Sequence, residues 1–404
     1  MDLLGHALWP DWMYQMTATQ GYLHADECRL TDLVSLLEAG ARDDLGAYPN
    51  ADRSEQGVLV YEARTVRAAA DDDRRRALRA EVARALSDGP GIVVFAGAFE
   101  HDVLDPVTAA FEQIIASEKV GGGGGGDHFA EPGANDRVWN ALEKLALADP
   151  QAFVDYYAND IVALASAAWL GPGYQVTSQV NVVNPGGKGQ TVHRDYHLGF
   201  QSPKVSQEFP ARVHALSPAL TLQGAVAHCH MPVESGPTLY LPHSQKYSHG
   251  YLAYWLPEFQ DYFLAHHVQL PLAKGDAVFF NPALLHAAGS NRTSEVRRMA
   301  NLLQVSSAFG RAMETVDRQL LVEAVYPVLL ASKGARLSAN QVAAVIAATA
   351  EGYAFPTNLD RDPPLNGMAP LTQADLVHGA LGESATPATL HERLDAHAGR
   401  RLTH

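Results

Sequence analysis

In TVHRDYHLGF (191–200), His193 and Asp195 stand two residues apart. On an extended segment, side chains two apart leave the same face, so an imidazole and a carboxylate point into one volume. They are two-thirds of a 2-His-1-carboxylate set, which holds iron(II) and leaves coordination positions open. Alone, the pair reads more readily as a surface His-Asp contact. A third donor is offered by KGDAVFFNPALLHAAGSNRTSEVRRMANL (274–302), where Gly275-Asp276 is a turn, AVFF a buried strand, and His286 follows at its far end. Arg297 lies eleven residues further on, at the start of the next strand. A guanidinium there can hold a carboxylate in a bidentate, charge-assisted pair, and a buried arginine with no anion is costly. Arg298 competes for the role, because adjacent strand residues face opposite ways.

The elements that must position these residues are legible from periodicity. From about 170 to 310 the chain runs in short strands between turns: YQVTSQVNVVN (174–184), ALTLQGAVAHCHM (219–231), PTLYLPH (237–243), HHVQLPL (266–272), DAVFFN (276–281) and RRMANLLQVSSA (297–308). Short strands without alternating helices predict a sandwich or barrel. Upstream, DECRLTDLVSLLEAGARDDL (26–45) places Leu30, Leu33, Leu36 and Leu37 on one helical face, and 71–91 repeats the pattern up to Gly89-Pro90-Gly91. Residues 91–119 read as strand, turn and amphipathic helix, and 311–350 as two more helices. The expected organisation is a helical N-terminal extension (1–90), a mainly β core (91–310) and a C-terminal helical extension packed on it (311–404), an α+β chain. Gly121 to Gly126 are six consecutive glycines with no Lys-Ser or Lys-Thr pair after them, which disfavours a phosphate cradle. A lid over a site and a plain connector are the remaining readings.

The 404 residues carry 30 basic and 45 acidic side chains, a formal charge of −15. Such a chain is repelled by nucleic acid and by anionic membrane surfaces, so neither is an expected partner. Cys28 and Cys229 make no disulfide framework and no CxxC pair. The start, MDLLGHALWPDWMYQ, lacks the basic region and apolar run of a secretion signal, and no stretch approaches the roughly 18 apolar residues of a membrane span. A cytoplasmic protein acting on a small molecule is expected, with homo-oligomerisation through the terminal helices left open.

His228 and His230 in AHCHMP are also two apart, a common start for zinc sites. A zinc hydrolase built on them is the lesser reading, since no later donor has matching context. His228, His230, His197, Tyr196, His128, Arg137, Trp139 and Asn140 are candidates for a substrate pocket, each weighed against an ordinary structural role.

Taken in order, the motifs resemble the phytanoyl-CoA dioxygenase family of iron(II)/2-oxoglutarate oxygenases. The resemblance rests on the opening GIVVFAGAFEHDVLDPV, on His193-Arg194-Asp195, and on the turn Glu234-Ser235-Gly236-Pro237-Thr238-Leu239. It continues through Pro242-His243-Ser244-Gln245-Lys246, Gly275-Asp276-Ala277-Val278-Phe279-Phe280, and His286 with Gly289-x-Asn291 and the paired arginines, covering roughly 90–310. The resemblance implies a double-stranded β-helix (jelly roll), iron(II) on His193, Asp195 and His286, 2-oxoglutarate anchored by Arg297, and O2 as oxidant. It also implies contacts from Gln179 and Asn181, which share one strand face, to 2-oxoglutarate or substrate. The implied reaction is hydroxylation of an unactivated C–H bond in a small metabolite with release of succinate and CO2; a carboxylate at Asp195 fills the place that related halogenases leave for chloride. Two departures stand out: Ala288 where the family often has Ser or Thr, and Gln245 where histidine is usual. A family fold without turnover, serving as a binding or regulatory module, is the alternative.

Overall fold

The computed structural model describes residues 21–41, 45–69, 72–120, 133–364 and 367–404. The six-glycine run and His128 lie outside the described residues. The strands in chain order are β1 (Arg53–Glu55), β2 (Val58–Glu62), β3 (Ile92–Ala96), β4 (Asn135–Val138), β5 (Gln175–Val183) and β6 (Thr221–Ala227). They continue with β7 (Leu239–Tyr240), β8 (Val268–Gln269), β9 (Ala277–Phe280), β10 (His286–Ala287) and β11 (Arg298–Ser306). Eight of them form a sheet in the order β1-β2-β3-β9-β6-β11-β5-β4, and β10-β7-β8 form a smaller one. Pairing is antiparallel apart from β2 with β3.

Alternation along the strands sorts the large sheet into two faces. On the outer face Val176, Val180 and Val182 of β5, Leu222 and Val226 of β6, and Met299, Leu303 and Val305 of β11 join one hydrophobic core. Helices Asp72–Ser87, His101–Val120, Pro150–Tyr157, Asp160–Leu170, Arg318–Ser332 and Ala339–Thr349 cover that face. The C-terminal helices contribute Leu321, Tyr326, Ile346 and Leu390 to the same core, so the segment after 311 is packed on the sheet. On the inner side Val94, Val278 and Phe280 meet Tyr240 and Leu270 of the small-sheet region. Helices Leu30–Gly40 and Pro257–His266 back the small sheet through Leu33, Leu37, Phe259 and Phe263.

The N-terminal region, expected to be mainly helical, also holds the strands β1 and β2. Their connecting residues, Gln56 and Gly57, have φ of 51° and 81°. Two successive left-handed residues make the two-residue hairpin turn whose twist suits antiparallel strands. The long windows 237–243 and 266–272 shrink to two paired residues each, Leu239–Tyr240 and Val268–Gln269. No helix of the described residues is long and apolar enough to cross a membrane.

Candidate metal and co-substrate site

His193 and His286 face each other in an isolated antiparallel bridge, with His193 N donating to His286 O at 3.0 Å and His286 N to His193 O at 3.2 Å. Their rings stand 4.4 Å apart. Each Nδ1 lies beside the carbonyl two residues upstream, His193 on Thr191 O at 2.8 Å and His286 on Leu284 O at 2.9 Å. Only an N–H suits a carbonyl, so both rings carry the proton on Nδ1 and present Nε2 as a lone pair, the usual orientation of ligating histidines. Asp195 is placed by its own N–H on Pro282 O at 3.0 Å. Its oxygens lie 3.7 Å from His193 Nε2 and 3.4 Å from His286 Nε2. One donor atom from each residue falls within 4.8 Å of the others, a set that fits a single metal ion. Burial works against the charged carboxylate, but His193, His286 and Gln223 outweigh it and hold Asp195 down to about 2. Burial and the neighbouring His286 push His193 below the ordinary histidine range. Both shifts favour the ligating forms, neutral imidazole and ionised carboxylate.

The motif residues around these donors are scaffold. Arg194, pointing away from the metal side, is 2 % exposed; its guanidinium donates to the Tyr247 carbonyl at 3.0 Å and to that of Ser244. Ser244 Oγ accepts from Leu285 N at 2.8 Å, immediately before His286. Asp276 accepts from Gly97 N at 2.9 Å and Ala273 N at 2.8 Å, tying the β9 turn to the end of β3. Asn291 donates to the carbonyls of Val183 at 3.0 Å and Val296 at 2.7 Å, closing the loop into β11. Gln245, the departure from histidine, donates to Gly89 O at 2.9 Å and serves a turn.

The donors open into a cavity of about 660 Å³ lined by Arg298, Ala300, Leu302 and Gln304 of β11, by Gln179 and Asn181 of β5, and by Gln223 of β6. The expected anchor Arg297 is not among its walls. On the outer face of β11 it binds Glu112 at 2.9 Å and Asp136 at 3.5 Å and is 45 % exposed. Strand alternation turns Arg298 inward instead, where it is 6 % exposed and makes no side-chain hydrogen bond or ion pair among the described residues. Burial pulls its guanidinium down to about 10, still charged at neutral pH. Ala227, Ala288 and Ala300 line the same cavity.

Other expected residues sort by face. Tyr196 and Arg137 line the cavity with Gln179 and Asn181. Arg137 donates to Gln179 Oε1 at 2.8 Å and lies 4.9 Å over the Trp139 ring. His197 is half-buried and not a wall of the cavity. His230 is exposed, and His228 points outward into the core between Thr108 and Tyr156, so neither lines the pocket and the zinc reading fails. Thr108 Oγ1 donates to Leu104 O at 2.9 Å and accepts from His228 Nδ1 at 2.8 Å, while Tyr156 donates to His228 Nε2 at 3.2 Å. That chain is satisfied only by a neutral ring, and burial pushes His228 down to about 3. Among the described residues the other three-donor cluster, Glu323, His391 and Asp395, is a half-exposed interhelical ion pair.

Gln223 was missed by sequence reasoning. Its Nε2 donates to Asp195 Oδ2, bracing the carboxylate. A glutamine inside the apolar strand ALTLQGAVA was the available signal. Tyr196 and His197, immediately after Asp195, have φ of 56° and 47°. Two successive non-glycine residues in that region store strain of about 1–3 kcal/mol each, as functional turns often do.

The sequence matches the family described as phytanoyl-CoA dioxygenase (PhyH) over residues 87–299, just over half of the chain. The chain belongs to the phytanoyl-CoA dioxygenase family. Iron(II), 2-oxoglutarate and O2 are the cofactors of such an oxygenase, and the donor set and the buried Arg298 fit them. Among solved structures, the chain is similar to the non-heme alpha ketoglutarate dependent carbocyclase SnoK from nogalamycin biosynthesis, at 20 % identity over 56 % of this chain and 83 % of that one, with a TM-score of 0.40. The epimerase SnoN from the same biosynthesis matches at 19 % identity over 59 % and 85 %, with a TM-score of 0.37. AviO1 from Streptomyces viridochromogenes matches at 18 % identity over 57 % and 96 %, with a TM-score of 0.41. No curated protein matches the chain significantly.

Proposed function

We propose that this family member is an iron(II)/2-oxoglutarate-dependent dioxygenase that hydroxylates an unactivated C–H bond of a small metabolite and releases succinate and CO2. The observation that carries the reading is the shared cavity of the His193, Asp195 and His286 donors with Arg298, a buried cation that lacks an anion. Bound iron(II) would supply O2 activation coupled to oxidative decarboxylation of 2-oxoglutarate. The chain does the rest. His193 and His286 present Nε2 because backbone carbonyls hold their Nδ1 protons. Asp195 supplies the negative charge, braced by Gln223. Arg298 binds the far carboxylate of 2-oxoglutarate in a bidentate pair, and the small side chains of Ala227, Ala288 and Ala300 admit it. Asn181 and Gln179, further along the same inner face, line the path from Arg298 to the substrate space. A carboxylate at 195 also favours hydroxylation over halogen transfer.

The atom balance is one O2, one 2-oxoglutarate and one C–H substrate consumed for one alcohol, one succinate and one CO2. The test is a succinate-release screen over metabolite pools with iron(II), ascorbate and 2-oxoglutarate. At least one pool is expected to raise succinate release in the wild-type chain and not in His286→Ala. Equal release by both, across all pools, contradicts the reading.

A further inference from the structure

Beyond the metal donors, the inner face of the large sheet is buried but not apolar. Register places Gln223 of β6 directly across from Gln304 of β11, and Ala300 of β11 across from Asn181 of β5. Cross-strand neighbours lie about 5 Å apart and successive inward residues about 7 Å apart, so the Gln223–Gln304 pair spans the width of one small ring and Asn181 stands two inward steps, about 14 Å, further along the sheet. Gln304 Oε1 and Asn181 Oδ1 are buried without a partner. Gln223 must turn its NH2 to the Asp195 carboxylate, which leaves its buried Oε1 as an acceptor on the Tyr196 side of the cavity wall. The buried Tyr196 hydroxyl lies within hydrogen-bonding reach of Gln223. Interiors rarely leave such groups unmade, and several on the walls of one cavity call for a ligand that brings hydroxyl groups to them.

Aromatic faces surround this polar floor. Phe200 and Trp255, 54 % and 46 % exposed, line the cavity together with Trp139 and Tyr196. Large apolar side chains left exposed around one opening mark a contact surface. The charges facing the amide wall are negative or spoken for: Asp195 is ionised, and Arg137 is held by Gln179 and stacked on Trp139. An anionic thioester finds no open cation here apart from Arg298, which the oxygenase reading gives to 2-oxoglutarate. A fatty acyl chain would bury the amides unpaired.

We propose, resting on the oxygenase reading, that the primary substrate is a neutral polyhydroxylated ring of the carbohydrate type. Its hydroxyl edge meets Gln223, Gln304 and Tyr196, and its C–H face meets the aromatic wall formed by Trp139 and Trp255. Gln304 and Trp255 then determine specificity without holding metal or 2-oxoglutarate.

The test uses the full chain loaded anaerobically with iron(II) and 2-oxoglutarate, read by the visible charge-transfer band of that complex and by intrinsic tryptophan fluorescence. The probes are the methyl glycosides of glucose, mannose and galactose, butyryl-CoA, and octanoate. At least one methyl glycoside is expected to perturb both signals saturably, with affinity reduced tenfold or more in Gln304→Leu and in Trp255→Ala. Gln304→Asn, which keeps an amide, is expected to retain part of the binding and controls for misfolding. Binding of butyryl-CoA or octanoate instead, glycoside binding unchanged in both variants, or no response to any probe while the band is present overturns the substrate class. Absence of the band in the wild-type chain overturns the oxygenase reading instead, and the fluorescence titration then judges the glycoside site on its own.

Discussion

Arg297 and Arg298 are adjacent in sequence and opposite in consequence. Arg298 is buried in the cavity of His193, Asp195 and His286 without a side-chain hydrogen bond or ion pair among the described residues, whereas Arg297 is held by Glu112 and Asp136 at the surface. Hydrogen bonds to a charged group contribute about 1.5–3 kcal/mol each, so losing a bidentate pair is expected to weaken 2-oxoglutarate binding by about 10²–10⁴-fold in Arg298→Ala. An exposed ion pair is worth about 0–1 kcal/mol, and Arg297→Ala is expected to stay within about threefold of wild type by calorimetry. The reverse ranking would place the anchor on the wrong residue. Gln223 acts through Asp195, and outer partners of metal ligands typically matter by about 10–100-fold. Gln223→Leu is expected to lower ferrous affinity by that factor while Gln223→Glu fails to restore it, because a second carboxylate repels Asp195. Unchanged iron affinity in Gln223→Leu would make that contact incidental.

At the scale of elements, the site depends on how the loops at 193–199 and 244–250 lock together. The guanidinium of Arg194 fills the space above Gly250, where an added Cβ would stand 1.8 Å from its central carbon. Overpacking of this kind costs about 1–3 kcal/mol, so Gly250→Ala is expected to lower the urea midpoint of unfolding and loosen metal binding with it. A variant as stable as wild type would show that Arg194 has room to move. The strands at 175–183, 221–227, 277–280 and 298–306 were legible because alternation and turn residues bound them. Which parity faces the cavity is left open by the sequence between Arg297 and Arg298: in β11 Met299, Leu303 and Val305 are the core set, and the other parity carries Arg298 and Gln304. His228 shares its parity with Leu222 and Val226, the core face, which explains why it is structural. The β1–β2 hairpin was hidden because its strands are three and five residues long and its turn uses Gln56 with Gly57 rather than Asn-Gly.

For the whole molecule, the covering helices and the large sheet share one core, and the buried polar chain through His228 runs across it. Folding holds that imidazole neutral, at about 3, against an ordinary value near 6.5. Between those limits the unfolded chain binds the extra proton, so stability is full above about pH 6.5 and falls as pH drops towards 3. The window corresponds to about 4–5 kcal/mol from this residue. His228→Gln is expected to be less stable than wild type at pH 7 but to show a flatter decline below pH 6, measured by urea unfolding at each pH. Parallel curves would assign the acid sensitivity to other groups. The central claim, that three distant residues and one inward arginine gather iron(II) and 2-oxoglutarate in a single cavity, is tested most directly by anaerobic titration of the two together. The account predicts a visible charge-transfer band in the wild-type chain at one iron per chain, absent in Asp195→Ala and shifted to higher 2-oxoglutarate concentration in Arg298→Ala. No band at saturating iron and 2-oxoglutarate, or an undiminished band in Asp195→Ala, would contradict it.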